Sequence, residues 1–480
     1  MPALTRRAAL GLGAAGLLAA CAAPSPTTRR ITPSDPCIAA AEANRFTTGR
    51  VHDIALDARP VTADLAGRPA ATWAYRTSLA GPPLRVRVGD RMRATLTNNL
   101  PEPTTVHWHG LALRNDADGV PGLTQQPVAP GERYTYDFVV PDAGTYWYHS
   151  HAGTQLDRGL YGPLVVEDPA DPGVDVDEVL LLDDWLDGIS GTPDQELARL
   201  RGGMSGMSMG TSMTSAVLGG DAGDVAYPLH LVNGRPPADQ QTVLARTGDR
   251  VRLRLVNAGS DTAYRVAIGG HRLTVTHADG RPVRPVAVDS LLLGMGERYD
   301  VQLVARSGAW PVVAVAEGKT GAAQAVLRTR DAAASRAPAI GTRPAELGRD
   351  LLTYGRLAPV ASQRLPARSP DRTYRVDLTG SMDNYTWGLG GDAKKLQVRP
   401  GQRVRLIMRN STAMWHPMHL HGHTFAVVEQ HGVRKGTIIV VPNQTVTIDL
   451  DADNPGQWMY HCHNVYHQSL GMSTILSYVD

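Results

Sequence analysis

The chain has 480 residues, a formal net charge of +2 and 20% charged residues. That length accommodates two to four domains, and that balance leaves neither a nucleic-acid footprint nor an acidic tail. Three cysteines (Cys21, Cys37 and Cys462) imply no disulfide framework, and 49 Gly with 34 Pro suit a β-rich chain with many turns.

Residues 1–20 read as an export signal. Thr5-Arg6-Arg7-Ala8-Ala9-Leu10 precedes a Gly/Ala/Leu run too short to span a bilayer. The Arg pair resembles a twin-arginine signal. Leu18-Ala19-Ala20-Cys21 resembles a lipoprotein cleavage box, in which Cys21 becomes the lipidated first residue. A lipid at Cys21 is the one membrane contact expected. Residues 21–43 then form a flexible tether outside the fold, with Cys37 alone in it.

From residue 44 onward the chain repeats. Leu84 to Asn98, Val243 to Asn257 and Leu396 to Asn410 align without gaps. In each, a glycine (Gly89, Gly248, Gly401) is followed nine residues later by Asn, with apolar residues alternating between them. Such alternation is a strand after a turn. Three such blocks predict three β-sandwich domains at 44–168, 177–330 and 371–480. Two segments interrupt the pattern. Residues 201–223 form a Gly/Ser/Thr-rich insertion carrying Met204, Met207, Met209 and Met213, and residues 331–370 read as a linker.

The register of the repeat locates the chemistry. Eighteen and twenty residues after Gly89 stand His107 and His109, and after Gly401 stand His419 and His421. After Gly248 the same offsets give Val266 and Ile268. Five and seven residues after Gly144 stand His149 and His151, and after Gly456 stand His461 and His463. After Gly308 they are Val313 and Val315. The outer domains therefore carry matching His-x-His strands, and the middle one is apolar there. Ser150 takes the place that Cys462 holds in the third domain.

Four motifs result: His107-Trp108-His109-Gly110, Tyr148-His149-Ser150-His151, His416-Pro417-Met418-His419-Leu420-His421-Gly422, and His461-Cys462-His463-Asn464-Val465-Tyr466-His467 with Met472 beyond it. Ten of the 16 histidines lie within them. A thiolate, a later imidazole and a thioether make a soft N/S site, the ligand types of blue copper. In an extended run Cys462 points one way while His461 and His463 point the other, so one segment feeds two metal sites. The other six histidines (His52, His230, His271, His277, His423 and His431) read as packing or surface residues.

These four motifs resemble those of the multicopper oxidases, specifically three-domain bacterial laccase-like and cuprous-oxidase enzymes. The resemblance covers roughly residues 45–480. It implies an all-β fold of three consecutive cupredoxin-like Greek-key β-sandwich domains, and four copper ions per chain. His416, Cys462, His467 and Met472 would hold the type 1 (blue) copper. His107 and His419 would hold type 2. His109, His149, His151, His421, His461 and His463 would hold the type 3 pair. Electrons from a reductant would pass through Cys462 to His461 and His463, and O2 would leave as water. Asp118 matches a proton-relay Asp of related enzymes, although an Asp before Gly119 also suits a turn. A second relay carboxylate of such enzymes is replaced here by Tyr466.

The expected partners are O2 and a small reductant, Cu(I) first and phenols second, with Fe(II) and Mn(II) also open, acting on an exported monomer. Met414 matches a Met near the Cu(I) site of cuprous oxidases, where a companion Asp is replaced by Thr412. With Met204, Met207, Met209 and Met213 it forms a candidate accessory Cu(I) set, since thioether sulfur selects Cu(I). A two-domain nitrite-reductase-like protein lacks this full His set, and a copper carrier would need only one blue site. Cys21→Ala is expected to move the exported protein to the soluble fraction with unchanged specific activity. Fractionation against wild type checks this, and equally soluble wild type would refute lipidation.

Overall fold

A computed structural model describes residues 29–202 and 213–480. Each aligned repeat folds as strand, glycine turn and strand: Leu84–Arg87 to Arg91–Asn98, Gln241–Ala245 to Arg250–Asn257, and Gln397–Val398 to Arg403–Asn410. The turn glycines have φ of +86°, +91° and +85°, a region that residues with a Cβ rarely enter. The two strands of each repeat belong to different sheets, so the turn carries the chain from one layer to the other. The first of the two pairs parallel with the last strand of its own domain.

The same layering recurs three times. In the first domain the sheet Pro69–Tyr75, Val51–Asp64, Arg91–Asn98, Arg133–Val139 faces the sheet Leu84–Arg87, Tyr161–Glu167, Gly144–His149, His107–His109. The middle and third domains keep that order and lengthen both sheets to six and five strands. Alternate residues such as Met92, Ala94 and Leu96, or Val404, Leu406 and Met408, fill the core between layers. The fold is all-β, three consecutive cupredoxin-like sandwiches.

The repeated Asn has a defined task. Asn98, Asn257 and Asn410 are each fully buried. The side-chain amide of each donates to two carbonyls: those of Glu102 and Val128, of Thr262 and Leu293, and of Met414 and Val440. Each Oδ1 accepts the backbone N–H two residues on. One side chain thus satisfies the polar groups of the buried loop that follows its strand. In the outer domains that loop leads into a His-x-His strand.

Strand pairing then sets the histidines side by side. His107 lies opposite His149, and His419 opposite His461, while Met418 lies opposite Cys462. In the middle domain Val266 lies opposite Ala314 in the equivalent ladder. Glycines let the first and third domains approach: a Cβ on Gly456 would meet Asn115 at 2.3 Å. Asn115 instead clasps the backbone of Gln457, donating to its carbonyl at 2.7 Å and accepting its N–H at 3.0 Å.

Two expectations need correction. The tether does not extend to residue 43. Ile31, Cys37 and Ile38 are buried, and Pro36–Ala43 is a helix. Glu42 on that helix accepts the N–H of Val139 in the first domain, while Gln457 of the third domain donates to the Ile31 carbonyl. Apolar side chains in this short stretch find a groove at the seam between the first and third domains. The 331–370 linker is packed down, with Leu352 and Leu357 buried, Leu351 bridged to Ser290 and Pro359 to Val283. Met213 is not a free thioether: it is half-buried against the core. Met204, Met207 and Met209 lie outside the described residues, as do Arg6, Arg7 and Cys21. Ile38→Ala should destabilise the protein by about 3 kcal/mol, read as a lower thermal midpoint. A true tether would show no change.

Candidate metal centre

Two clusters of ligand-type side chains form, both fully buried. In the first, Cys462 Sγ lies 3.7 Å from His416 Nδ1 and 3.6 Å from His467 Nδ1, and the two Nδ1 atoms are 3.1 Å apart. The outward nitrogens are already engaged. His467 Nε2 donates to Asp224 Oδ2 at 2.8 Å, and His416 Nε2 meets Thr412 Oγ1 at 2.8 Å. The Asp224 carboxylate sets the His467 tautomer, so its Nδ1 lone pair faces the sulfur. Burial pushes the Cys462 thiol up and His416 well below its usual range. A thiolate here needs a cation to offset its charge. Met472 is buried beside the group, its carbonyl accepting the Cys462 N–H and its N–H donating to the His467 carbonyl. Trp387 packs on His467 with ring centres 4.1 Å apart.

The second cluster gathers eight imidazoles from four strand segments. His461 and His463 sit across the chain from Cys462, their rings 5.7 Å apart. Three triads place one nitrogen each within 4.8 Å of one another: His107, His419 and His421; His107, His109 and His149; His151, His421 and His461. His463 Nε2 comes within 3.2 Å of His109 Nδ1. Burial, followed by the neighbouring imidazoles, holds His109, His151, His419 and His421 well below the usual range, and His461 falls to about 4. These rings are neutral and carry lone pairs.

Outward hydrogen bonds show where those lone pairs point. Nδ1 of His107, His149, His419 and His461 donates to the carbonyls of Asp118, Ser150, Gly436 and Cys462 at 2.7–2.8 Å. His421 Nδ1 donates to Asp118 Oδ2 at 2.9 Å. Nε2 of each is then a bare acceptor turned inward. The Nε2 atoms of His421 and His461 are 3.0 Å apart, two lone pairs facing each other. Nε2 of His107, His109, His149, His151 and His419, and Nδ1 of His463, are buried without a hydrogen-bond partner among the described residues. Converging lone pairs with no proton between them fit metal cations, and imidazole with thiolate suits copper.

Asp118 is fully buried in the turn before Gly119, and its Oδ1 also lies 3.2 Å from His107 Nδ1. Met414 is buried, with its carbonyl held by Asn410 and Thr412. His423 hydrogen-bonds Tyr478 and His230 hydrogen-bonds Tyr264, both away from the clusters. The residues that sequence reasoning missed are supports. Asp224 and Trp387 touch His467, and Asp279 accepts the N–H of Gly436 and Thr437, whose strand presents the carbonyl to His419. No ligand spacing marks them. The one available signal for Asp224 was its place in Gly220-Asp221-Ala222-Gly223-Asp224, an acidic end to a Met-rich insertion.

Comparison with known proteins agrees with this geometry. The sequence matches the multicopper oxidase family over residues 57–171, 177–332 and 367–479. It is 44% identical to the multicopper oxidase MmcO of Mycobacterium tuberculosis, over 99% of this chain and 97% of that one. It is 29% identical to a copper resistance protein A homolog of Pseudomonas syringae pv. tomato, over 85% and 89% of the two chains. Among solved structures it superposes on a laccase mutant from B. aclada with a TM-score of 0.75 at 26% identity, covering 91% and 89%. A multi-copper oxidase from Pseudomonas thermotolerans gives 0.68 at 29% identity, covering 89% and 99%. With three matched segments and a relative that spans its whole length, the chain belongs to the multicopper oxidase family and is a copper-dependent oxidoreductase that uses oxygen.

Proposed function

We propose that this oxidase takes electrons chiefly from Cu(I), with phenols as poorer donors, and serves copper tolerance outside the cytoplasm. Four Cu(I) and four protons would reduce one O2 to two waters. The carrying observation is the edge of the Cys462 cluster. His467 is sealed beneath Trp387 and Tyr385, which leaves no exposed face for the ring of a phenolic substrate. Its one outward nitrogen ends on the Asp224 carboxylate, which also accepts from Tyr385 at 2.7 Å, and Asp221 stands close by. Carboxylates suit a cationic donor better than a phenol. The Met-bearing segment returns at this edge: the Met213 carbonyl accepts the N–H of Ala222, two residues before Asp224. Kinship with copper resistance proteins supports the same reading.

In this reading four coppers bind per chain. His416, Cys462, His467 and Met472 would hold the blue copper, and His107 with His419 would hold type 2. His109, His149, His151, His421, His461 and His463 would hold the type 3 pair. Bound copper supplies one-electron redox chemistry at the first cluster and oxygen reduction at the second. The protein's own part is to hold the rings. Asp118 orients His107 and His421 from behind and is placed to hold a proton between them. The buried walls keep bulk water out, which favours complete reduction over release of partly reduced oxygen. The twin-arginine-like signal and Cys21 support a lipid-held protein of the cell envelope. No described helix is long and apolar enough to cross a membrane.

Oxygen uptake by copper-loaded protein against Cu(I), a phenol, Fe(II) and Mn(II) tests the substrate. The highest kcat/KM is expected with Cu(I), and a phenol preference of tenfold or more would reject it. Deleting residues 203–212 should slow Cu(I) oxidation several-fold while sparing or raising the rate with a bulky phenol; an unchanged Cu(I) rate and KM would make the segment passive. Cys462→Ser should abolish both the intense thiolate-to-copper absorption and turnover, because no other described thiol lies near the cluster. A retained blue colour would refute the ligand assignment.

A further inference from the structure

Asp261 and Lys319 belong to the middle domain, and neither is a candidate ligand. Both side chains are almost wholly buried, and Lys319 Nζ lies 2.5 Å from Asp261 Oδ2. Nζ also donates to the carbonyls of Val225 and Asp261. The other partners of the Asp261 carboxylate lie on two segments that reach His467. Its Oδ2 accepts the N–H groups of Asp224 and Val225, both at 2.9 Å. Asp224 is the carboxylate that receives His467 Nε2–H. Asp261 Oδ1 accepts from the side-chain amide of Asn464 at 2.6 Å. Asn464 Oδ1 in turn accepts the N–H of Tyr466 and His467, capping the short helix Val465–Ser469. One carboxylate therefore holds the ring of His467 by one route and its backbone by another.

We infer that the Asp261–Lys319 pair is a positioning element by which the middle domain fixes His467 and so sets the reduction potential of the blue copper. A well-packed apolar pair would often hold a fold as firmly as a buried ion pair. It could not offer two oxygens in fixed directions to four donors, which is what this site uses. The ring N–H of a metal-bound imidazole, when it donates to a carboxylate, makes the imidazole a stronger donor to the metal. A stronger donor favours the oxidised ion. Lys319 balances the charge of Asp261, which keeps that carboxylate an acceptor in a buried place. The middle domain, apolar where its neighbours carry His-x-His, thus acts on the metal site through this pair. The inference rests on the assignment of His416, Cys462 and His467 to the blue copper.

The test is potentiometric titration of the thiolate-to-copper absorption in copper-loaded full-length protein. D261N should keep its copper content and raise the potential. Poised where wild type is half reduced, the variant should show a reduced-to-oxidised ratio about tenfold higher, or 59 mV for a one-electron couple. Asp224→Asn should shift the same way, and the double variant should fall short of the sum of the two shifts, because one residue acts through the other. Lys319→Arg, which keeps the cation, should stay near wild type. A merely structural role would lower the melting temperature and leave the potential alone; that result, or fully additive shifts, overturns the inference. Should D261N fail to accumulate, Asn464→Ser keeps a cap oxygen and severs only the reach to Asp261. It must also move the potential upward, and an unmoved potential overturns the inference equally. Wild type without the absorption would sink the blue-site assignment itself, a distinct outcome.

Discussion

Everything in this molecule turns on imidazole lone pairs held facing one another in a space closed to water. Six ring nitrogens of the cluster lack any hydrogen-bond partner among the described residues. A buried unsatisfied polar atom costs about 1–3 kcal/mol, so together they approach the whole stability of a typical domain, about 5–15 kcal/mol. Backbone carbonyls of Asp118, Ser150, Gly436 and Cys462 hold the rings of His107, His149, His419 and His461 from behind. The cost is set by strand register and loop braces, and metal cations are what offset it. Folding and cofactor loading are one problem in this chain.

The three sandwiches share that problem unequally. Each has the same glycine turn and the same bracing Asn, so each builds the same loop and strand ladder. The outer two place His-x-His on that ladder and meet across the Asn115–Gln457 clasp, where the imidazoles converge. The middle one fills the ladder with Val and Ala and packs it as core. What it contributes instead is charge at a distance: Asp279 behind His419, and Asp224 behind His467.

Much of this was readable from the chain before any coordinates. The repeat carried the three-sandwich fold because Gly turns and alternation report backbone requirements that are local. The histidine motifs were readable because two ligands on one strand must stand at alternate positions. Supports such as Asp224, Asp261 and Lys319 left no such mark, since a contact made 243 residues away in sequence, as between Asp224 and His467, obeys no spacing rule. The N-terminal arm was misread for a related reason. Pro, Thr and Ser around Ile31 and Ile38 resemble a tether until a groove elsewhere in the fold accepts the two isoleucines. Met213 misled likewise, because a Gly/Ser background hides a side chain that packs against a distant core.

Copper stoichiometry combined with the product of oxygen reduction tests the central claim most directly. Fully loaded protein should hold about four Cu per chain, consume one O2 for every four electrons delivered, and release no peroxide. One Cu per chain without oxygen uptake would contradict the account, because the eight converging imidazoles would then have some purpose other than binding an oxygen-reducing cluster.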